Sequence, residues 1–153
     1  MDNSPQNAAN ISQFHFYIAE RKLPMKQQYE KLLAGDLSRQ QWQGCFQRNV
    51  LVVLEQFYDE ALAQLQSMPF DASQSGFDKG MSNLTRQVLT EFQGSVDEFL
   101  WFVVDKHRTS CALSNFPDEH KPDKDYVNAV KRDIAVLWSN FAINVNDYFL
   151  GVR

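Results

Sequence analysis

The sequence predicts an all-α fold: a helical bundle of three long helices with a short N-terminal helical pair packed across it. Apolar residues recur at three- and four-residue spacing over long stretches, whereas the period-two alternation of β-branched residues that marks strands is scarce. At 153 residues and 44% apolar composition, a chain of this size buries roughly 70% of its unfolded surface and needs no metal or disulfide staple. Collagenous, disulfide-scaffold and disordered classes are excluded by the same composition.

The elements follow in order. Residues 1–9 are polar and read as a flexible N-terminus, with 10–153 as one helical domain. From Asn10 to Lys22, Ile11, Phe14 and Ile18 keep helical spacing, and Asn10 with Gln13 matches a capping box. Pro24 fits the first turn of a second short helix whose stripe is Met25, Tyr29, Leu32 and Leu33, and Gly35 suits its C-terminal stop. Ser38 and Gln41 form the next capping box, with Leu37 and Trp42 as its hydrophobic staple.

The long helix that follows should run from about Ser38 to about Met68. Trp42, Phe46, Val50, Val53, Phe57, Ala61 and Leu65 line its inner face, widened by Leu51, Leu54, Tyr58 and Leu62. Pro69 to Gly80 reads as a loop. A second long helix starts at Phe77 or Ser82 and ends near His107, carrying Met81, Leu84, Val88, Phe92, Val96, Phe99 and Val103 inward. Arg108 to Pro122 is a loop. A last helix, capped by Asp123 or Asp125, presents Val127, Val130, Ile134, Leu137, Phe141, Val145 and Tyr148. Gly44 and Gly94 lie inside helices, where Gly costs about 1 kcal/mol relative to Ala, and close helix crossings at both would explain them.

Function classes narrow by absence of pattern. The polar N-terminus carries Asp2 where a secretory signal would carry basic residues, which points to a cytoplasmic protein. The uncharged stretch Ile134 to Asn146 holds Asn140, Asn144 and Asn146 and falls well short of the roughly 20 apolar residues a membrane span needs. A net charge of −4 without a basic stripe argues against nucleic acid. Ser38 to Gln41, after a short turn, nevertheless resembles the opening of a recognition helix in residue type. Cys45 and Cys111 form no Cys-x-x-Cys unit and read as reduced, structural thiols.

No Glu-x-x-His, Gly-x-Ser-x-Gly, Gly-x-Gly-x-x-Gly or His-Glu-x-x-His pattern occurs, so no common catalytic signature is present and no cofactor or metal is expected. Asp118, Glu119, His120, Asp123 and Asp125 are dense in potential ligands but lack the Gly and closing Glu of a calcium loop, and read as solvated acids. His15 reads as a boundary residue and His107 as a helix-end residue. Glu55, Asp59 and Glu60 read as a wet face.

Three features exceed what a plain bundle needs, the first being 12 Phe, 5 Tyr and 3 Trp, more aromatic surface than a bundle of this length is expected to cover. The last helix carries a second apolar row, Ala129, Val136, Ile143 and Leu150, spaced by seven and well round from the main stripe. On the preceding helix Trp101 falls opposite Phe92 and Phe99, with Gly94, Asp97, Glu98 and Asp105 around it. Either the N-terminal segment Phe14 to Ile18 folds back over one of the last two, or they form an interface. The sequence therefore points to a small interaction or regulatory protein, non-enzymatic and self-associating as a homodimer or bound to a protein partner. The alternative is a bundle that binds a small apolar ligand, or acts as an enzyme, in a cavity between its helices.

Overall fold

A computed structural model describes the backbone of residues 5–35, 42–71, 77–78, 80–113 and 124–151, and the side chains of 5–34, 48–71, 80–106 and 131–151. It contains four long helices: α1 (Pro5–Gly35), α2 (Trp42–Gln66), α3 (Asn83–Leu113) and α4 (Lys124–Gly151). Ahead of α3, the two-residue strands β1 (Phe77–Asp78) and β2 (Met81–Ser82) pair antiparallel, Phe77 opposite Ser82 and Asp78 opposite Met81. The all-α bundle expected from the periodicity is the fold, with three differences of detail.

First, the N-terminal pair is a single helix. Its start at Pro5 suits the first helical position, where the missing N–H costs nothing. Residues 5–9 are thus helical where a flexible segment was expected, and Asn10 sits inside the helix instead of capping it. Pro24 lies in the interior, a position that costs about 3 kcal/mol in an isolated helix. The chain tolerates it because Ile11, Phe14, Ile18, Met25, Tyr29 and Leu33 fall on one face when the helix runs straight through, and all six are buried. Pro24 and Glu20 are both exposed, so the carbonyl that loses its amide partner faces water.

Second, the segment expected to be a loop before α3 holds the hairpin. Gly80 supplies its turn at φ 79, a left-handed backbone that side-chain-bearing residues rarely adopt. Ser82 caps α3, its Oγ accepting the Leu84 N–H at 3.2 Å. Asn146 on α4 anchors the unit: Oδ1 accepts from the Ser82 N–H and the Thr85 hydroxyl, both at 3.0 Å, and Nδ2 donates to the Gly80 carbonyl at 3.3 Å. Third, α3 continues to Leu113, past the end expected near His107. The expected capping box and staple at Leu37 to Trp42, and Gly44, lie outside the described side chains.

α1 packs on α2 and α3, and α4 packs on the same two helices from the other side, so α1 and α4 take opposite corners of a square. The partners along each seam give the directions. His15–Glu91, Lys22–Glu98 and Glu30–Lys106 advance together, so α1 and α3 run parallel. Tyr58–Phe141, with Phe70–Phe149 just past the end of α2, makes α2 and α4 parallel as well, while Thr85–Asn146 and Phe92–Phe141 make α3 and α4 antiparallel. α2 therefore ends and α3 begins at the same end of the bundle, at opposite corners.

Phe92 is the hub of the core. Fully buried, its ring meets Phe14 from α1 at 6.4 Å, Phe57 and Tyr58 from α2 at 4.7 and 5.7 Å, and Trp138 and Phe141 from α4 at 5.9 and 4.6 Å. The inward stripes of α2 and α3 follow the spacing from Val50 to Leu65 and from Leu84 to Val103, whereas Met81 lies in β2 and is half-buried, and the side chains of Trp42 and Phe46 lie outside the described residues. On α4, Ile134, Phe141 and Val145 are buried as expected, joined by Phe149, while Leu137 and Tyr148 are half-buried.

Candidate functional site

α1 buries Phe14 and Ile18 against its neighbours and leaves both candidate surfaces open, so the N-terminal segment does not cover them. Trp101 is 70% exposed, Val136 61% and Ile143 57%, while Leu150 is half-buried. The side chain of Ala129 lies outside the described residues.

Their outward direction follows from helix geometry. Ile134 and Phe141 point into the core, and two residues further on, a rotation of about 200° turns Val136 and Ile143 to the opposite side. Arg132, Ser139 and Asp147, also exposed, share that outer ridge. Trp101 stands nine residues after Phe92, about half a turn away on the wheel. The outer ridges of adjacent helices in a four-helix square diverge by about a quarter turn. Trp101 and the α4 row are therefore two separate surfaces.

Around Trp101 the chemistry is acidic and partly neutralised. Glu98, one turn earlier, bonds Lys22 Nζ at 2.9 Å and Lys26 Nζ at 3.5 Å across the α1–α3 seam. The Lys22 hydrogen bond holds its carboxyl below the usual glutamate value; burial opposes it, and the charges of Lys22 and Lys26 add to the lowering. Gly94 has nothing within 4 Å of where a Cβ would stand, so it marks no helix crossing, contrary to the expectation from sequence. Close packing does not explain Gly94.

Sequence reasoning missed a third exposed apolar feature. Phe16 and Leu23 on α1 are 68% and 62% exposed, seven residues apart, with Val52 on α2 less exposed. The signal was present in the seven-residue spacing, but it showed only once the two N-terminal segments proved to be one helix.

Two clefts flank α4. One, of about 210 Å³, lies between α2 and α4 and is lined by Glu55, Tyr58, Asp59, Leu62, Asn140 and Asn144 among others. The other, of about 330 Å³, lies between α3 and α4, with Val96, Leu100, Ile134 and Trp138 as apolar walls and Gln93, Asp97 and Lys131 as polar ones. Tyr58 reaches both clefts through the aromatic core. Burial, reinforced by the Asp97 carboxylate, raises its hydroxyl far above the ordinary tyrosine range, so the group stays neutral. That hydroxyl is buried and has no hydrogen-bond partner among the described residues.

His15, half-buried, meets Glu91 through Nδ1 at 2.8 Å on the α1–α3 seam. Glu55 and Asp59 are exposed, and Glu60 accepts a hydrogen bond from Gln56 at 3.1 Å. The side chains of Cys45, His107, Cys111 and the acidic run from Asp118 to Asp125 lie outside the described residues. Among the described residues no group of His, Cys, Asp and Glu could hold a metal ion, and no helix is long and apolar enough to cross a membrane. Compared with protein-family models, curated proteins and solved structures, the chain matches none.

Proposed function

We propose that the chain is a small cytoplasmic protein-interaction module, non-enzymatic, that self-associates through the outer ridge of α4. The observation that carries this reading is the exposure of Val136 and Ile143, seven residues apart on the corner of the bundle farthest from α1. Burying an exposed Val or Ile side chain is worth about 1.5 to 3 kcal/mol. A helix that displays two of them in line has a driving force for association. Sedimentation analysis of the double variant Val136→Asp, Ile143→Asp tests it. The oligomer is lost while helicity stays unchanged, because both side chains are largely exposed. An oligomer that survives both changes removes the α4 ridge from its assembly.

The buried Tyr58 hydroxyl supports a second reading, in which a flat apolar molecule with one polar edge enters the α3–α4 cleft and bonds that group. A ligand bound only by the folded chain raises its melting temperature. With 2-naphthol as probe, stabilisation that shrinks in Tyr58→Phe supports this reading, and none in either protein opposes it.

A further inference from the structure

The outer ridge of α4 is complementary to itself when read in reverse. About the midpoint between Ser139 and Asn140, Val136 mirrors Ile143, Arg132 mirrors Asp147 and Ala129 mirrors Leu150. Arg132 and Asp147 are both exposed. Fifteen residues separate them, about 22 Å along one helix, so they cannot pair within a chain.

We infer that the partner on this ridge is a second copy of the chain, docked antiparallel across a two-fold axis near Ser139, with Arg132 of each copy facing Asp147 of the other. This rests on the reading of the α4 ridge as a self-association surface. In this register the two exposed apolar residues of one helix meet the two of the other, Val136 against Ile143, between a pair of opposite charges at either end. Ser139, small and exposed, sits at the crossing, where a short side chain lets two helices approach. A parallel, in-register pair would instead set Arg132 on Arg132 and Asp147 on Asp147, a repulsion at both ends.

The α1 ridge lacks this property. About the midpoint of Phe16 and Leu23, Glu20 mirrors Ala19 and Lys26 mirrors Gln13, so no opposite charges meet. A two-fold contact of one surface with itself also closes at two subunits, whereas joining the α1 ridge of one copy to the α4 ridge of the next would build an open chain.

A single helix laid on its copy buries less than about 1,200 Å², the range of weak, reversible complexes, so the dimer forms at micromolar or higher concentration. Its exposed ion pairs make it weaken with added salt.

Equilibrium sedimentation of the full chain up to several hundred micromolar, with Arg132→Asp, Asp147→Arg and the combined exchange, tests the register, helicity confirming that each variant is folded. Each single reversal raises the dissociation constant about tenfold, the size expected when attractive exposed pairs become repulsive ones at both ends. The combined exchange restores it. Single reversals without effect, or a combined exchange that fails to restore association, overturn the antiparallel register. If Val136→Asp with Ile143→Asp still abolishes the dimer in that case, self-association through α4 stands without it. A wild-type chain that stays monomeric throughout overturns both.

Discussion

Asn7 grips the backbone of Asp71 with both atoms of its amide: Nδ2 donates to the Asp71 carbonyl at 2.8 Å, and Oδ1 accepts the Asp71 N–H at 2.7 Å. The side chain is buried in the first turns of α1, 64 residues from its partner in sequence. It holds the chain where α2 has ended and Met68 and Phe70 tuck into the core. Asn7→Ala removes both of these hydrogen bonds and lowers stability by about 1 to 3 kcal/mol, measured by urea unfolding. A loss below about 0.5 kcal/mol would mean that Met68 and Phe70 hold the segment unaided.

Phe92 joins rings from the other three helices, so its removal opens a cavity that no single helix can close by shifting. Phe92→Ala lowers stability by about 3 to 5 kcal/mol, and Phe92→Leu by distinctly less. Equal losses for the two would show that the core is plastic at its centre.

Gly94→Ala stabilises the protein. The added methyl meets nothing within 4 Å, and the backbone is helical, so the change keeps every contact and restricts the unfolded chain. A gain of about 0.5 to 1 kcal/mol is expected in thermal unfolding. A loss would mean that the methyl disturbs the neighbouring Trp101 surface or a partner docked on it.

The Lys22–Glu98–Lys26 cluster contributes at neutral pH and not in acid. Because folding lowers the carboxyl's pKa, the unfolded chain binds the proton more readily. The contribution is therefore full above the ordinary glutamate value and is lost as pH falls below it through the lowered one. Both Lys22 and Glu98 are at least two-fifths exposed, which limits the effect to a few tenths of a kcal/mol and makes it sensitive to salt. Glu98→Gln should lower the melting temperature slightly at pH 7, with the difference shrinking as pH falls through the lowered carboxyl value or in about 1 M salt, since screening shortens the reach of the charges to about 3 Å. A difference that persists in acid would assign the loss to packing.

The sequence by itself determined the helices and the inward stripes of α2 and α3, because helical periodicity records which residues share a face. It also marked Val136, Ile143 and Trp101 as surplus to that core. What it could not supply was the continuity of α1 through Pro24. Local propensity reads a proline as a break, and only the joint burial of six apolar residues against two other helices overrides it. Nor could it show that Asn146 would clamp a hairpin more than sixty residues earlier, since the hydrogen bonds that place it span the fold.

The candidate surface divides in the same way. Spacing along one helix placed the α4 row on a single ridge, a local property of the chain. Whether another segment covers that ridge, and whether Trp101 belongs to it, depends on which helices become neighbours. The core aromatics decide that: Phe92 and Tyr58 draw α1 and α4 to opposite corners, leaving the α4 ridge open and Trp101 on a separate face.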